Sequence, residues 1–165
     1  MAARSADAAL ASSARPVVVV VGAHAGAVRE SLGGRGVVVA ENPLWEEGLA
    51  SSIRAGLSRI LEIDPGIDAV LLAPCDQPGL TPQVIESLAA LCRETGCIAA
   101  ARYGGRNGAP AVFGREHFPL LQGLSGDEGA RRILNGGLHP VQTIDLPDLA
   151  LDLDTPGDYS DFEAR

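Results

Sequence analysis

The sequence contains no lysine; all 13 basic residues are arginines. That excludes a P-loop lysine, a Schiff-base lysine and any lysine acting as acid or base. Cysteine is scarce: Cys75, Cys92 and Cys97 are odd in number and lack C-x-x-C spacing. Neither a disulfide framework nor a zinc site is expected from them, and Cys92 and Cys97 read as small buried hydrophobes. The three histidines, His24, His117 and His139, are scattered and match no H-E-x-x-H pattern, so each reads as a surface or hydrogen-bonded residue. No apolar run is long enough to cross a bilayer. The start, Met1 to Asp7, is Ala-rich without a continuous apolar h-region. The expectation is therefore a cytoplasmic protein with no signal peptide and no membrane partner. A net charge of −8 supplies no basic face for a phosphate backbone, so no nucleic-acid partner is expected.

What is present is a chain of 165 residues, 46% of them hydrophobic, rich in Ala, Gly, Val and Leu. It is expected to form one domain, residues 1–165, with a core of its own. Apolar runs at Val17–Val21, Val37–Ala40, Val70–Ala73, Ile98–Ala100, Ala111–Phe113 and Val141–Leu146 read as strands. Between them lie segments with helical period, such as Ile53, Leu57, Ile60 and Leu61, or Val84, Ile85, Leu88 and Leu91. Ala6 to Ser13 reads as the tail of a poorly capped helix. Strands alternating with helices predict a doubly wound, mostly parallel sheet. Ser125-Gly-Asp127-Glu128 reads as a capping box opening a helix through Arg131 and Arg132. The turn Gly22-Ala-His-Ala-Gly26 follows a strand but lacks the third glycine of a dinucleotide fingerprint, so an ordinary strand-to-helix turn is expected.

Chemistry is expected around Asp76. The strand Val70–Ala73 stops at Pro74, the chain presents Asp76, and Thr81-Pro82 restarts a helix as N-cap and first helical residue. A carboxylate just past a central strand lies where open α/β sheets bind ligands, although such an Asp also serves simply to satisfy a turn. A second acidic turn, Asp152 and Asp154, precedes Thr155-Pro156. Two carboxylates at one end of a sheet suit Mg²⁺, which takes one or two of them with waters and substrate phosphates. The alternative makes the second pair a solvated tail and helix cap.

Five segments together carry a resemblance. Asn42-Pro43-x-Trp45-x-x-Gly48-x-x-Ser51-Ser52-Ile53-x-x-Gly56-Leu57 is followed by Pro74-Cys75-Asp76-Gln77-Pro78. Then come Gly105-x-x-Gly108-x-Pro110-x-x-Phe113, Gly126-Asp127-x-Gly129-Ala130-Arg131 and Asp152-x-Asp154-Thr155-Pro156-x-Asp158-Tyr159. In this order they resemble the molybdenum cofactor cytidylyltransferases, MobA-like NTP transferases. The resemblance implies a Rossmann-like three-layer α/β nucleotidyltransferase fold with a mostly parallel sheet. It implies transfer of CMP from CTP to the phosphate of molybdopterin cofactor, with release of pyrophosphate. Asp76 and Asp154 would be the catalytic carboxylates and hold Mg²⁺. Ser51 and Ser52 would lie near the cytosine, or else simply be small residues at a helix start. Asn42 belongs to the same binding segment. Trp45, Gln77, Pro78 and the loop Gly104 to Pro110, with Gly105 and Gly108, would face the pterin; Trp45 equally reads as a core anchor and the glycines as turn formers.

One departure accompanies the resemblance. Family members begin with a strand and a loop of the form L-A-A-G-x-S-x-R-M-G-x-x-K, and no segment here matches it. The expectation is an N-terminally truncated domain, short of a strand–loop–helix unit of roughly 30 residues, the scale of a βαβ motif. The sheet would then carry a gap or two exposed edges. A misplaced start codon, a crippled chain or a partner supplying the unit would each account for it. Three functional readings follow: cytidylyl transfer; guanylyl transfer from GTP, or nucleotidyl transfer to another small phosphorylated acceptor; and a non-catalytic molybdopterin-binding chaperone or fragment. A molybdoenzyme or its chaperone would be the recipient of the product.

Overall fold

Consecutive valines disfavour helix and pack well on a pleated surface. Val18–Val21 accordingly forms β1, and Val38–Glu41 forms β2, paired in parallel with Val20 opposite Ala40. The computed structural model describes residues 1–127 and 129–150. The remaining strands are β3 (Ala69–Leu72), β4 (Ile98–Tyr103), β5 (Arg106–Gly114) and β6 (Val141–Asp145), in the spatial order β3-β5-β4-β6. β4 and β6 are parallel, whereas β5 runs antiparallel to both its neighbours. That reversal follows from the short β4–β5 connection. Gly104 and Gly105 have φ of +57° and +74°, the pair of left-handed residues that a two-residue hairpin turn requires. The glycine-rich stretch expected to be a loop up to Pro110 is thus mostly strand. Its irregularity is a bulge: Ala100 pairs Ala111 while Ala101 pairs Gly108, leaving Ala109 and the cis-Pro110 unpaired, where a missing N–H costs no ladder bond.

Among the described residues six α-helices cover the strands: α1 (Ala2–Ala11), α2 (Ala25–Leu32), α3 (Leu49–Ile63), α4 (Pro82–Thr95), α5 (Phe118–Gln122) and α6 (Arg131–Asn135). Alternate strand residues face opposite sides. Val70, Phe113, Ala100 and Ile98 point toward Leu57 of α3, Leu121 of α5 and Leu134 of α6. Leu71, Val112 and Ala99 point the other way, toward Leu88 and Cys92 of α4. Val19 and Val21 join Ala6 of α1 and Leu32 of α2. The result is the expected α/β sandwich of three layers.

The described strands form two sheets, with no ladder joining β1 to β3. Two helices span the space between them. α3 packs Gly56 on Val20 of β1, where an added Cβ would stand 3.0 Å from Val20 Cγ2, while Leu57 enters the core beneath β3 and β5. On the other face α1 is tied to the segment after α2 by Arg35 and Asp7, 2.6 Å apart. Just beyond its end, Ser13 donates its hydroxyl and backbone N–H to the Glu86 carboxylate of α4.

Thr81 caps α4 as expected, accepting the Val84 N–H at 3.2 Å. The capping-box reading of Ser125–Glu128 is corrected: α6 starts only at Arg131, with Ala130 at its N-cap and no side-chain cap. Asp127 caps α3 instead, and Glu128 lies outside the described residues. The second acidic turn, with Asp152, Asp154, Thr155 and Asp158, also lies outside them. Among the described residues no helix is long and apolar enough to cross a membrane.

Candidate active site

β1 and β2 run in parallel and end at one edge of their sheet, and β3 and β4, each antiparallel to β5, end at one edge of theirs. The candidate residues sit in the turns at those edges, in two hydrogen-bonded groups.

The first belongs to the β1–β2 half. Asn42 follows β2 directly, and its backbone N–H donates to Val21 O at 2.8 Å, closing the ends of β1 and β2 together. Its side chain is buried, 4% exposed, and every polar atom has a partner. Asn42 Nδ2 donates to Ser51 Oγ at 2.7 Å and to Ser52 Oγ at 3.1 Å, while Oδ1 accepts the Leu44 N–H at 3.0 Å. Ser51 is buried too, and its hydroxyl donates to Gly48 O at 2.8 Å. The hydroxyl of Ser51 is therefore fully engaged. Ser52, half-buried beside it, accepts from Asn42 and donates its own proton to no acceptor among the described residues. In this group one O–H donor is left over for something else. Trp45 stands in the same half, 44% exposed, with Leu44 and Leu49 also exposed. It packs on Gly22 at the end of β1, where an alanine Cβ would stand 2.7 Å from Trp45 Cβ.

The second group belongs to the four-stranded half. Gln77, 3% exposed, donates from Nε2 to Tyr103 Oη at 2.8 Å and to Leu149 O at 3.4 Å. Tyr103 donates onward to Ala109 O at 2.8 Å and lies across Gly108, leaving no room for a Cβ there. Among the described residues Gln77 Oε1 is buried with no partner, a costly state for an amide oxygen. Pro78 and Pro110 are buried alongside, and Gly105 forms the hairpin tip. Tyr103 was not singled out from the sequence; its position two residues before the Gly-Arg segment carried no signal of the bond to Gln77.

Asp76 sits between Cys75 and Gln77, half-buried, and makes no hydrogen bond or ion pair among the described residues. A carboxylate left without a partner is free to accept a cation. Cys75 is exposed at the turn, yet enough protein surrounds its thiol that desolvation, then the Asp76 charge, pushes its pKa up, with the Met1 amino group pulling it down. The protonated thiol is a poor nucleophile. Among the described residues no three His, Cys, Asp or Glu side chains converge to hold a metal. Asp76 alone still fits Mg²⁺, which needs only one or two protein carboxylates when phosphates complete its shell. Asp154, its expected partner, lies outside the described residues.

Beyond the end of β5, His117 is buried with its Nδ1 3.3 Å from Glu116 Oε1 and its ring edge-on to His139, ring centres 6.1 Å apart.

Comparison with known proteins supplies the relatives. Residues 1–143 match the family described as MobA-like NTP transferase domain. The purine catabolism protein PucB of Bacillus subtilis (strain 168) is 32% identical over 117 residues, covering 69% of this chain and 55% of that protein. This chain thus spans about half the length of the curated relative it matches. Among solved structures, the homologue of Mycobacterium tuberculosis Rv0371c from Mycobacterium sp. strain JC1 superposes with a TM-score of 0.80 at 30% identity, covering 98% of this chain and 80% of that one. Rv0371c of Mycobacterium tuberculosis H37Rv, solved in complex with manganese, gives 0.76 at 30% identity, covering 98% of this chain and 85% of that one.

Proposed function

This chain belongs to the MobA-like NTP transferase domain family, and we propose that it transfers CMP from CTP to molybdopterin cofactor, releasing pyrophosphate. The observation that carries the reading is the Asn42–Ser51–Ser52 group, in which one hydroxyl proton is left free at the edge where α/β sheets take their ligands. A lone donor suits cytosine, whose O2 and N3 are both acceptors. In the reaction an oxygen of the acceptor phosphate bonds to the α-phosphorus of the nucleotide as the bond to pyrophosphate breaks.

Each residue has a limited task. Ser52 orients the base through its O–H. Ser51 and Asn42 hold Ser52 in place. Asp76, with Asp154, would hold a divalent ion, Mg²⁺ in this reading, which offsets charge on the triphosphate when bound. The manganese complex of Rv0371c supports a divalent ion. Gln77, with its orphaned Oε1, and the hairpin carrying Tyr103, Gly105, Gly108 and Pro110 form the acceptor side, where a flat ring with N–H donors would satisfy that oxygen. We read residues 1–165 as one working domain.

Calorimetric titration of CTP and GTP, with and without Mg²⁺, tests this. The expected result is Mg²⁺-dependent CTP binding abolished by Asp76→Ala. Preference for GTP would move the assignment to guanylyl transfer. Molybdopterin binding without nucleotide binding would make the chain a cofactor carrier.

A further inference from the structure

α3 begins on a glycine, so no side chain of its own caps it. Its first amides are taken instead by a loop 78 positions further along: Asp127 Oδ1 accepts the Leu49 N–H at 3.2 Å. Gly126 O accepts the Ala50 N–H at 3.1 Å. One turn on, Arg54 donates to Leu124 O at 2.5 Å and to Glu47 Oε2 at 3.0 Å. Gly48 is obligatory for this contact, because its φ is +97° and a Cβ would stand 2.7 Å from Gly126 O. Leu49 in turn covers Gly129. The other end of the segment is held equally firmly. Asn135 Oδ1 accepts the Asn107 N–H at 3.1 Å, and Asn135 Nδ2 donates to Asn107 O at 2.8 Å. Residues 124–127 therefore contact the first turn of α3 beside the Ser52 group, and Asn135 contacts the start of β5, on the hairpin that carries Tyr103.

We propose that Asp127 is a positioning residue for the nucleotide and that it forms a clasp with Leu124, Gly126 and Asn135. Its carboxylate takes an orphan amide at the positive end of α3, fixing the turn that aims the Ser52 hydroxyl. Asn135 anchors the clasp on the acceptor side. The proposal rests on Ser52 as the donor to the base.

Two measurements test it. Amide hydrogen exchange reads the clasp without any ligand. Asp127→Ala should speed exchange at Leu49 and Ala50 at least about tenfold, the scale of one lost charge-assisted bond, and leave the amides of α4 unchanged. Asp127→Asn, which keeps an oxygen acceptor, should restore protection. Titration with CTP and Mg²⁺ reads the consequence: Asp127→Ala should weaken binding about tenfold, yet add nothing once Ser52→Ala is present, because both act through one hydroxyl. Losses that add in the double variant, or unchanged exchange in Asp127→Ala, overturn the proposal while nucleotide binding by the wild type stands. Absence of any nucleotide binding by the folded wild type overturns the reading of Ser52, and the proposal with it.

Discussion

Ser51 and Ser52 are neighbours of identical chemistry whose roles diverge over one proton. The hydroxyl of Ser51 is spent on Gly48 O, whereas that of Ser52 is not. Ser51→Ala leaves the buried Asn42 amide short of an acceptor, and the expected cost is about 1–3 kcal/mol of stability by urea denaturation. Ser52→Ala should leave stability within about 1 kcal/mol, since that group is only half-buried, and weaken CTP binding about tenfold. The same logic applies to Gln77. Tyr103→Phe removes an acceptor from a buried amide whose oxygen is already unsatisfied, and thermal unfolding should reveal a loss of about 1–3 kcal/mol. At this scale the sequence named candidates, Asn42, Ser51, Ser52, Asp76 and Gln77, and was silent about how their hydrogen bonds divide. It could not tell which serine is committed, because that depends on Gly48 O facing back at Ser51.

Helices and strands were legible wherever period or capping was local. β1, α3 and α4 lie where the valine run, the 53–57–60–61 spacing and the Thr81-Pro82 start put them. The failures came where distant chain intervened. Asp127 has the spacing of a local cap but serves α3, because the glycines around it bend the loop onto Leu49. β5 begins earlier than expected, since the paired glycines at 104 and 105 make a turn tight enough to let strand resume at once. The link between Ser13 and α4 carries a pH dependence. Hydrogen bonds from the Ser13 backbone, then its hydroxyl, hold the Glu86 carboxyl below its ordinary value. A depressed carboxyl stabilises the fold above its unfolded pKa and loses that contribution as pH falls through the folded one. Stability should therefore drop on acidification below about pH 4, the ordinary glutamate range. Glu86→Gln should flatten the drop measured by thermal melts across that window. Asp7, held low by Arg35, contributes in the same direction.

For the whole molecule, the two sheets depend on the helices that span them. Strand pairing does not connect β1 to β3 among the described residues, so cohesion between the halves comes from α1 and α3. Gly56 is the closest approach, and Gly56→Val would force α3 away from Val20. The expected loss is about 1–3 kcal/mol, the usual cost of overpacking, seen as a lower Tm and faster exchange in β1. That α3 would pack on both sheets was not legible in the sequence, because packing of one helix on two sheets leaves no separate mark in a 3.6-residue pattern.

The clasp on α3 also has a consequence for the order of synthesis. α3 emerges from the ribosome far ahead of the residue that caps it, since Leu49 and Asp127 are 78 positions apart. A helix of this length is marginal in water by itself, and a contact of such long range forms late because loop closure must precede it. The nascent chain therefore holds α3 with a fraying first turn while β3, α4, β4 and β5 are made, and the Ser52 turn becomes rigid only when residues 124–127 arrive. A ribosome paused before that point would carry a folded-looking chain whose nucleotide side is still unset.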